Sequence, residues 1–558
     1  MSLTSTVFYA FLIAGLLVYY ILPAKFRWVW LLIMSYVYYW GYNVKSSLYM
    51  VFDTVIIYFA AMLIWKINDS SKKYLAQNKE ILTKDEKKKY KEKTKKKKRL
   101  VLAGGLVLTF GLLAVLKYSK FFLINFESFF VSIGVTNAHS LACKMIMAMG
   151  LSFYTFQSAS YLIDVYMGKY DYEKNIFKLG LFISFFPQIL EGPIGRYDRL
   201  APQLFKGNKF ELKNIQYGFQ RVIWGLAKKF ILADRAYVFV EAVFGKYYEY
   251  GGFVTIAAVL MYSVELYCDF SGGIDIVIGV AQMFGIKMDE NFRQPFFSKS
   301  IGEFWRRWHI TLGTWMKDYI FYPMSLSKGM NKLSKWGKKH LGNHLGRTLP
   351  ICFANLVIFF IVGIWHGAEV RYIAYGLYNG IIIAFSNLCE PIYKKGLEKF
   401  RINGDGRGWK IFKIIRTFIL VNIGWIFDCC ELGMRTAVKM MTEMFTKLNV
   451  QLLTWDIFKQ FELKPKDYIV IAVGCVVIFI VGIFKEKGIK AISCKMAALL
   501  WNYYSGIIVW LYRFGFKRIY VCSFLVNTNG GQYAAFKRII RIQGNDIQSC
   551  KKRFKGKI

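Results

Sequence analysis

Proline, histidine and acidic side chains are scarce in this chain: nine Pro, five His and 35 Asp or Glu among 558 residues. The ten cysteines are scattered, with one adjacent pair at Cys429 and Cys430, and none stands in a CxxC or a Cys/His spacing. That leaves no zinc-ligand pattern and no disulfide framework, and most cysteines read as small apolar fillers inside helices. Sustained alternation at the strand period is missing, which argues against an outer-membrane barrel. No internal repeat is evident, and no flexible linker is long enough to separate soluble domains. The N-terminal apolar run lacks a basic segment before it and a small-x-small site after it, so it does not read as a cleaved signal peptide.

What the chain has in quantity is apolar surface and positive charge. Hydrophobic residues make up 55%, aromatics 18%, and mean hydropathy is +0.31. Apolar runs near bilayer length recur at Phe8–Leu22, Ser47–Trp65, Leu100–Leu116, Ile351–Trp365 and Tyr468–Phe484. More interrupted ones lie around Trp28–Trp40, Met145–Tyr166, Ile176–Leu190, Ile215–Ala233, Phe253–Phe284, Tyr372–Cys389, Ile411–Phe427 and Ala497–Trp510. The expectation is an all-α polytopic membrane protein with about eleven to thirteen membrane-embedded helices. Residues 1–515 form its membrane domain and 516–558 a basic tail. Met434–Val450 reads either as an interfacial amphipathic helix or as a simple connector.

The net charge of +41 does not point to nucleic acid, because it sits largely between the apolar runs. Lys66–Arg99 carries 15 Lys or Arg against 5 Asp or Glu, including KTKKKKR. This reads as a solvated cytoplasmic loop obeying the positive-inside rule, with attraction to anionic lipid headgroups. Counting runs back from it places the N terminus outside.

A charge at the centre of a membrane helix costs about 2.5–3.5 kcal/mol on insertion scales, so polar groups inside apolar runs carry information. His139, His340 and His344 fall in polar connections. His366 instead closes the apolar run NLVIFFIVGIWHG. It is either a packed, hydrogen-bonded residue or a general base, since imidazole accepts a hydroxyl proton near neutral pH. Gly363 and Gly367 leave room beside it for a backbone or a substrate, and Trp365 can wall the site.

His309 lies in FWRRWHITLGTWMKDYIFYP (304–323), the densest polar and aromatic cluster in the chain. On one continuous helix Trp305, Trp308, Leu312 and Trp315 share a face. Arg306, Arg307, Lys317 and Asp318 are hard to bury in lipid. They suit a segment that dips in from the aqueous side, where broken backbone is tolerated. Upstream, Asp269 and Asp275 flank Ser271-Gly272-Gly273, read as a break, and are expected to pair with the Arg306–Arg307 cluster. Asp289, Glu290 and Asn291 follow.

Together these segments resemble the membrane-bound O-acyltransferase (MBOAT) family. The resemblance is carried by YCDFSGGIDIVIGVAQMFG, ENFRQPFFSKSIGEFWRRWHITLGTWMKDYIFYP and GIWHGAEVRYIAYGLYNG, supported by GLSFYTFQSASYLIDVYMG, FFPQILEGPIGRYDRLAPQL, GLAKKFILADR and RTFILVNIGWIF. It covers roughly residues 1–510 and looks like the bacterial branch acting in cell-envelope biogenesis. That branch O-acetylates alginate or peptidoglycan, or D-alanylates teichoic acid; the C-terminal tail lacks the aromatic-rich ending of the branch.

The resemblance implies an MBOAT-type helical funnel in the bacterial plasma membrane, with the catalytic centre within 147–430. It implies His366 as the catalytic histidine and His309 as the second, with Trp305, Arg306, Arg307, Asp318 and Trp365 as supporting or substrate-binding residues. It implies acetyl-CoA or another acyl thioester as co-substrate, with no bound cofactor and no metal. The acceptor is then an extracellular transferase or a polysaccharide, and an acyl carrier protein is a partner if the group moved is D-alanine. A lipid or polysaccharide transporter is the non-enzymatic alternative, which an inverted repeat would favour.

Overall fold

Backbone N–H and C=O groups in a bilayer have no water to bond, so long apolar runs satisfy them internally as helix. The structure, a computed structural model, describes residues 1–41, 43–125, 150–367, 369–430, 432–449 and 454–487. Among them helices follow one another and no strand occurs. The first four are α1 (Thr6–Ile21), α2 (Ala24–Trp40), α3 (Val44–Gln77) and α4 (Lys84–Asn125). Next come α5 (Leu151–Met167), α6 (Ile176–Ser184), α7 (Tyr197–Phe205), α8 (Leu212–Ala227), α9 (Asp234–Gly245) and α10 (Gly252–Met283). Two short helices, α11 (Ile301–Arg307) and α12 (Ile310–Met316), precede α13 (Tyr322–Ser325) and the long α14 (Lys328–His366). The remainder are α15 (Val370–Leu388), α16 (Glu390–Lys399), α17 (Arg407–Cys429), α18 (Met434–Thr446), α19 (Trp455–Lys459) and α20 (Pro465–Glu486).

Five described helices are long and apolar enough to cross a membrane: Ser46–Gln77, Lys84–Ser119, Gly252–Met283, Lys328–His366 and Pro465–Glu486. A sixth arises if α15 and α16, bent by 57°, are taken as one span. The other candidate runs form shorter or more polar helices, among them α1, α2, α5, α6, α8 and α17. His139, the run Ala497–Trp510 and the tail 516–558 lie outside the described residues.

Several sequence expectations are revised. The basic stretch 66–99 is not a loop. It is the end of α3 and the start of α4, joined by a short turn, because Lys and Glu are good helix formers. Thr83 and Glu86 close the turn reciprocally: the Thr83 N–H donates to Glu86 (2.9 Å) and the Glu86 N–H to the Thr83 hydroxyl (3.3 Å). His340 and His344 are likewise helical, on α14. That helix bends at Gly342, whose φ of 86° is left-handed. Met434–Thr446 packs inward through Ala437, Met440 and Met444 against α9 and α10, so it is more than a connector.

The Ser271-Gly272-Gly273 stretch does not break α10 either. Its glycines bring α8 and α10 into backbone contact. A Cβ on Gly225 would stand 2.5 Å from the Gly272 carbonyl oxygen, and one on Gly218 2.5 Å from the Gly279 oxygen. Gly225→Val is therefore expected to destabilise the protein by about 1–3 kcal/mol through overpacking. A melting curve in detergent checks this, and an unchanged midpoint would contradict the packing.

Ion pairing of the α10 carboxylates holds, but with other partners than Arg306 and Arg307. Asp275 sits between Arg221 (2.8 Å) and Lys228 (2.6 Å), and Arg221 also grips Glu290 (2.7 Å), which Lys485 of α20 reaches at 2.9 Å. Asp269 pairs with Lys229 (2.5 Å). The basic partners lie at the end of α8 and in the π-helical turn 228–233 that follows, a face α10 covers directly.

Candidate active site

Where α14 meets α15, glycine removes the side chains that would hold the helices apart. A Cβ on Gly363 would fall 2.6 Å from the Tyr372 carbonyl oxygen, and one on Gly376 2.2 Å from that of Phe359. The room beside His366 is thus used first by the backbone of α15. A Cβ on Gly367 would strike the Tyr372 ring at 2.4 Å. This close approach ends α14 at His366 and surrounds its imidazole with aromatic rings. Trp365 lies 4.9 Å away between centroids, Tyr375 5.8 Å edge-on, and Tyr372 6.2 Å nearly parallel. His366 nevertheless keeps part of its surface open. Among the described residues, Asp428 and Lys117 are charged side chains close enough to act on it.

His309 is placed by a break rather than by a helix. Its φ of 47° and ψ of 52° are left-handed, a conformation costing a non-glycine residue about 1–2 kcal/mol. Here α11 stops and α12 starts. The expected single face of Trp305, Trp308, Leu312 and Trp315 is therefore divided. Trp308 packs with Leu266, Phe304 and Trp425, whereas Leu312 and Trp315 pack with Phe153, Phe156 and Trp365.

Asn291 holds the break in place. Its carbonyl oxygen accepts from the Thr311 N–H and the Thr311 hydroxyl, both at 3.0 Å, and stands 3.3 Å from His309 Nδ1. Its backbone oxygen accepts from the Ile310 N–H at 3.0 Å. The Thr311 hydroxyl in turn receives the Ile194 N–H (3.1 Å), tying the break to the segment before α7. An amide oxygen only accepts, so this network assigns the proton to Nδ1 of His309 and leaves Nε2 an acceptor. Nε2 is buried and has no protein partner among the described residues.

The two imidazoles come together around one indole. Trp365 lies 5.7 Å from His309 and 4.9 Å from His366. Phe153 of α5 stacks 6.3 Å from His309, and Phe270 of α10 meets it edge-on at 4.9 Å. Trp305 stands a layer further out, donating its indole N–H to Asn379 (3.0 Å). The remaining sequence candidates make their contacts elsewhere. Arg306 is exposed, Arg307 pairs with Glu303 (2.9 Å) and Glu486 (3.4 Å), and Asp318 pairs with Arg196 (2.8 Å). Sequence reasoning assigned nothing to Asn291, Lys117 or Asp428.

A buried acceptor nitrogen beside a second, partly open imidazole in an aromatic enclosure can orient a hydroxyl and remove its proton. Comparison with known proteins gives this arrangement its context. The model of the MBOAT, membrane-bound O-acyltransferase family matches residues 172–427, which include both histidines. A probable alginate O-acetylase AlgI of Pseudomonas aeruginosa is 30% identical over 448 residues, covering 80% of this chain and 75% of that protein. A peptidoglycan O-acetyltransferase of Helicobacter pylori is 29% identical over 78% of each chain. A teichoic acid D-alanyltransferase of Bacillus subtilis is 31% identical over 50% of this chain and 68% of that protein. For a probable alginate O-acetylase AlgI of Pseudomonas syringae, 31% identical, the match spans only 60% of the relative's length. With a relative 30% identical over three quarters of that protein's length and a family model that matches its centre, the chain belongs to the membrane-bound O-acyltransferase family.

Proposed function

We propose that this enzyme moves an acetyl group from a cytoplasmic thioester, acetyl-CoA, to a hydroxyl of an extracellular partner protein or cell-envelope polysaccharide. The observation that carries the reading is the pair of imidazoles sharing Trp365, one of them with an acceptor nitrogen that has no partner among the described residues.

His366 takes the proton of the acceptor hydroxyl as its oxygen attacks the thioester carbonyl, while Nε2 of His309 accepts from a neighbouring donor group of the acceptor and so orients it. The C–S bond breaks, an ester C–O bond forms, and His366 returns the proton to the departing thiolate. With its proton fixed on Nδ1, His309 orients the acceptor better than it stabilises an oxyanion. Enclosure by aromatic rings holds both reactants together, which supplies proximity. A thioester is already activated, so the step draws on no nucleotide hydrolysis and no metal. Trp305 and Trp365 support this centre. Arg306, Arg307 and Asp318 stand at its approach, where the arginines attract donor phosphates.

The position of the pair favours a donor with a long arm. With the N terminus outside, the basic end of the α3–α4 hairpin faces the cytoplasm. Along α5, Tyr166 stands against Lys98 of that basic end (5.5 Å), and Phe153 stands against His309. Thirteen residues of helix separate them, about 20 Å at 1.5 Å per residue. A thioester reaching His366 from the cytoplasm therefore travels roughly that depth, which suits a pantetheine arm on coenzyme A or on a carrier protein.

D-Alanyl transfer to teichoic acid from a carrier protein is the second reading, favoured by the 31% identity to a teichoic acid D-alanyltransferase. Reconstituted enzyme given labelled acetyl-CoA or labelled D-alanyl carrier protein separates the two. Label transferred from acetyl-CoA alone supports acetylation, and label from the carrier protein alone replaces it with alanylation. Movement of lipid or polysaccharide with neither label transferred would return the transporter reading.

A further inference from the structure

Lys117 is an unexpected residue to find buried, only 6% exposed, in the apolar part of α4. An intramembrane lysine needs partners. Those it has are backbone and aromatic. Its Nζ donates to the carbonyl oxygen of Trp365 and lies 5.6 Å from the Trp365 ring and 5.7 Å from that of Tyr118. The next residue repeats the grip one step earlier: the Tyr118 hydroxyl donates to the Ile364 oxygen at 2.7 Å. Consecutive side chains of α4 thus hold consecutive carbonyls at the very end of α14.

The last four carbonyls of a helix have no partner within it and carry the negative end of its dipole. At α14 the Gly363 oxygen receives the Gly367 N–H (3.4 Å), and the next two are taken by Tyr118 and Lys117. The Trp365 carbonyl belongs to the peptide unit that joins Trp365 to His366, and that unit is planar and rigid. Whatever holds this oxygen sets the plane from which the His366 Cα projects.

We propose that Lys117 is a positioning residue for His366: it fixes the Trp365–His366 peptide plane, and so the direction in which the imidazole meets the acceptor hydroxyl. Tyr118 braces the preceding plane. This rests on His366 being the base, as proposed above.

The test compares Lys117→Met, which keeps an apolar stem without a donor, with Lys117→Arg, which keeps donors. Both are assayed with labelled acetyl-CoA in reconstituted membranes at equal amounts of folded protein. Lys117→Met is expected to lower kcat about tenfold to hundredfold, the scale of a small misplacement of a reacting group. KM for acetyl-CoA and the melting temperature stay at wild-type values, and Lys117→Arg recovers most of the rate. In a His366→Ala background Lys117→Met causes no further loss, because the residue acts through the imidazole.

Wild-type kcat in Lys117→Met overturns the proposal. So does a loss that only follows the amount of folded protein, an arginine variant as slow as the methionine one, or an added loss in the His366→Ala background. A fully active His366→Ala enzyme fails the underlying reading instead, whereas an inactive one beside a fully active Lys117→Met enzyme fails this proposal alone.

Discussion

Replacing His366 with alanine lowers acyl transfer by about 10²–10⁴-fold, the usual contribution of a positioned general base, while folded protein accumulates normally. The ring is held by aromatic contacts at 4.9–6.2 Å and keeps part of its surface open. The close approach of α14 and α15 is made by Gly363, Gly367 and Gly376 and does not depend on the imidazole. Stability therefore changes little and the loss falls on the chemical step. His366→Gln retains polarity and approximate size but cannot take up and return a proton, so it is as inactive as alanine. Initial rates at saturating acetyl-CoA, alongside gel filtration in detergent, measure both. Wild-type kcat in either variant removes His366 from the reaction.

Asn291→Leu is expected to lower kcat about hundredfold, through the geometry of His309. The substitution is close to isosteric, and Asn291 Nδ2 has no partner among the described residues to lose. What disappears is one oxygen that serves the Thr311 N–H, the Thr311 hydroxyl and His309 Nδ1. Each buried donor left without an acceptor costs about 1–3 kcal/mol. The left-handed backbone at His309 is strained by a similar amount, so the break relaxes once its clamp is gone. Asn291→Asp keeps the accepting oxygen and retains far more of the rate than leucine does. The two variants and His309→Ala, assayed together, check this. Wild-type kcat in Asn291→Leu would show that the break holds without Asn291.

The helical membrane architecture was legible from sequence for a plain reason, and so was the prominence of His366. Bilayer-length apolar runs admit few structures, and a histidine closing such a run, as His366 does, stands out against lipid-compatible neighbours. Local pattern misled where one residue overrides a period. The indole stripe from Trp305 to Trp315 keeps perfect helical spacing, yet His309 turns left-handed in its middle because Asn291, eighteen residues away, accepts from the turn. Ser271-Gly272-Gly273 read as a break because glycine weakens an isolated helix, whereas here it lets α8 and α10 touch. Lys117 was hidden for a different reason. Its partner, the Trp365 carbonyl, is a backbone atom 248 residues distant, and nothing in the composition around Leu116 marks it. The partners of Asp269 and Asp275 were likewise a matter of which face α10 turns to α8, which spacing alone does not give.

In the proposed mechanism one imidazole is served by a thioester from the cytoplasmic face and a hydroxyl from the other. Oriented vesicles carrying the enzyme test it most directly, with labelled acetyl-CoA confined to the face bearing the 66–99 hairpin and the acceptor confined to the opposite face. The expected result is label appearing on the acceptor across the membrane with the wild-type enzyme and not with His366→Ala. Label that reaches the acceptor at the same rate in both, or only when donor and acceptor share one face, would contradict it.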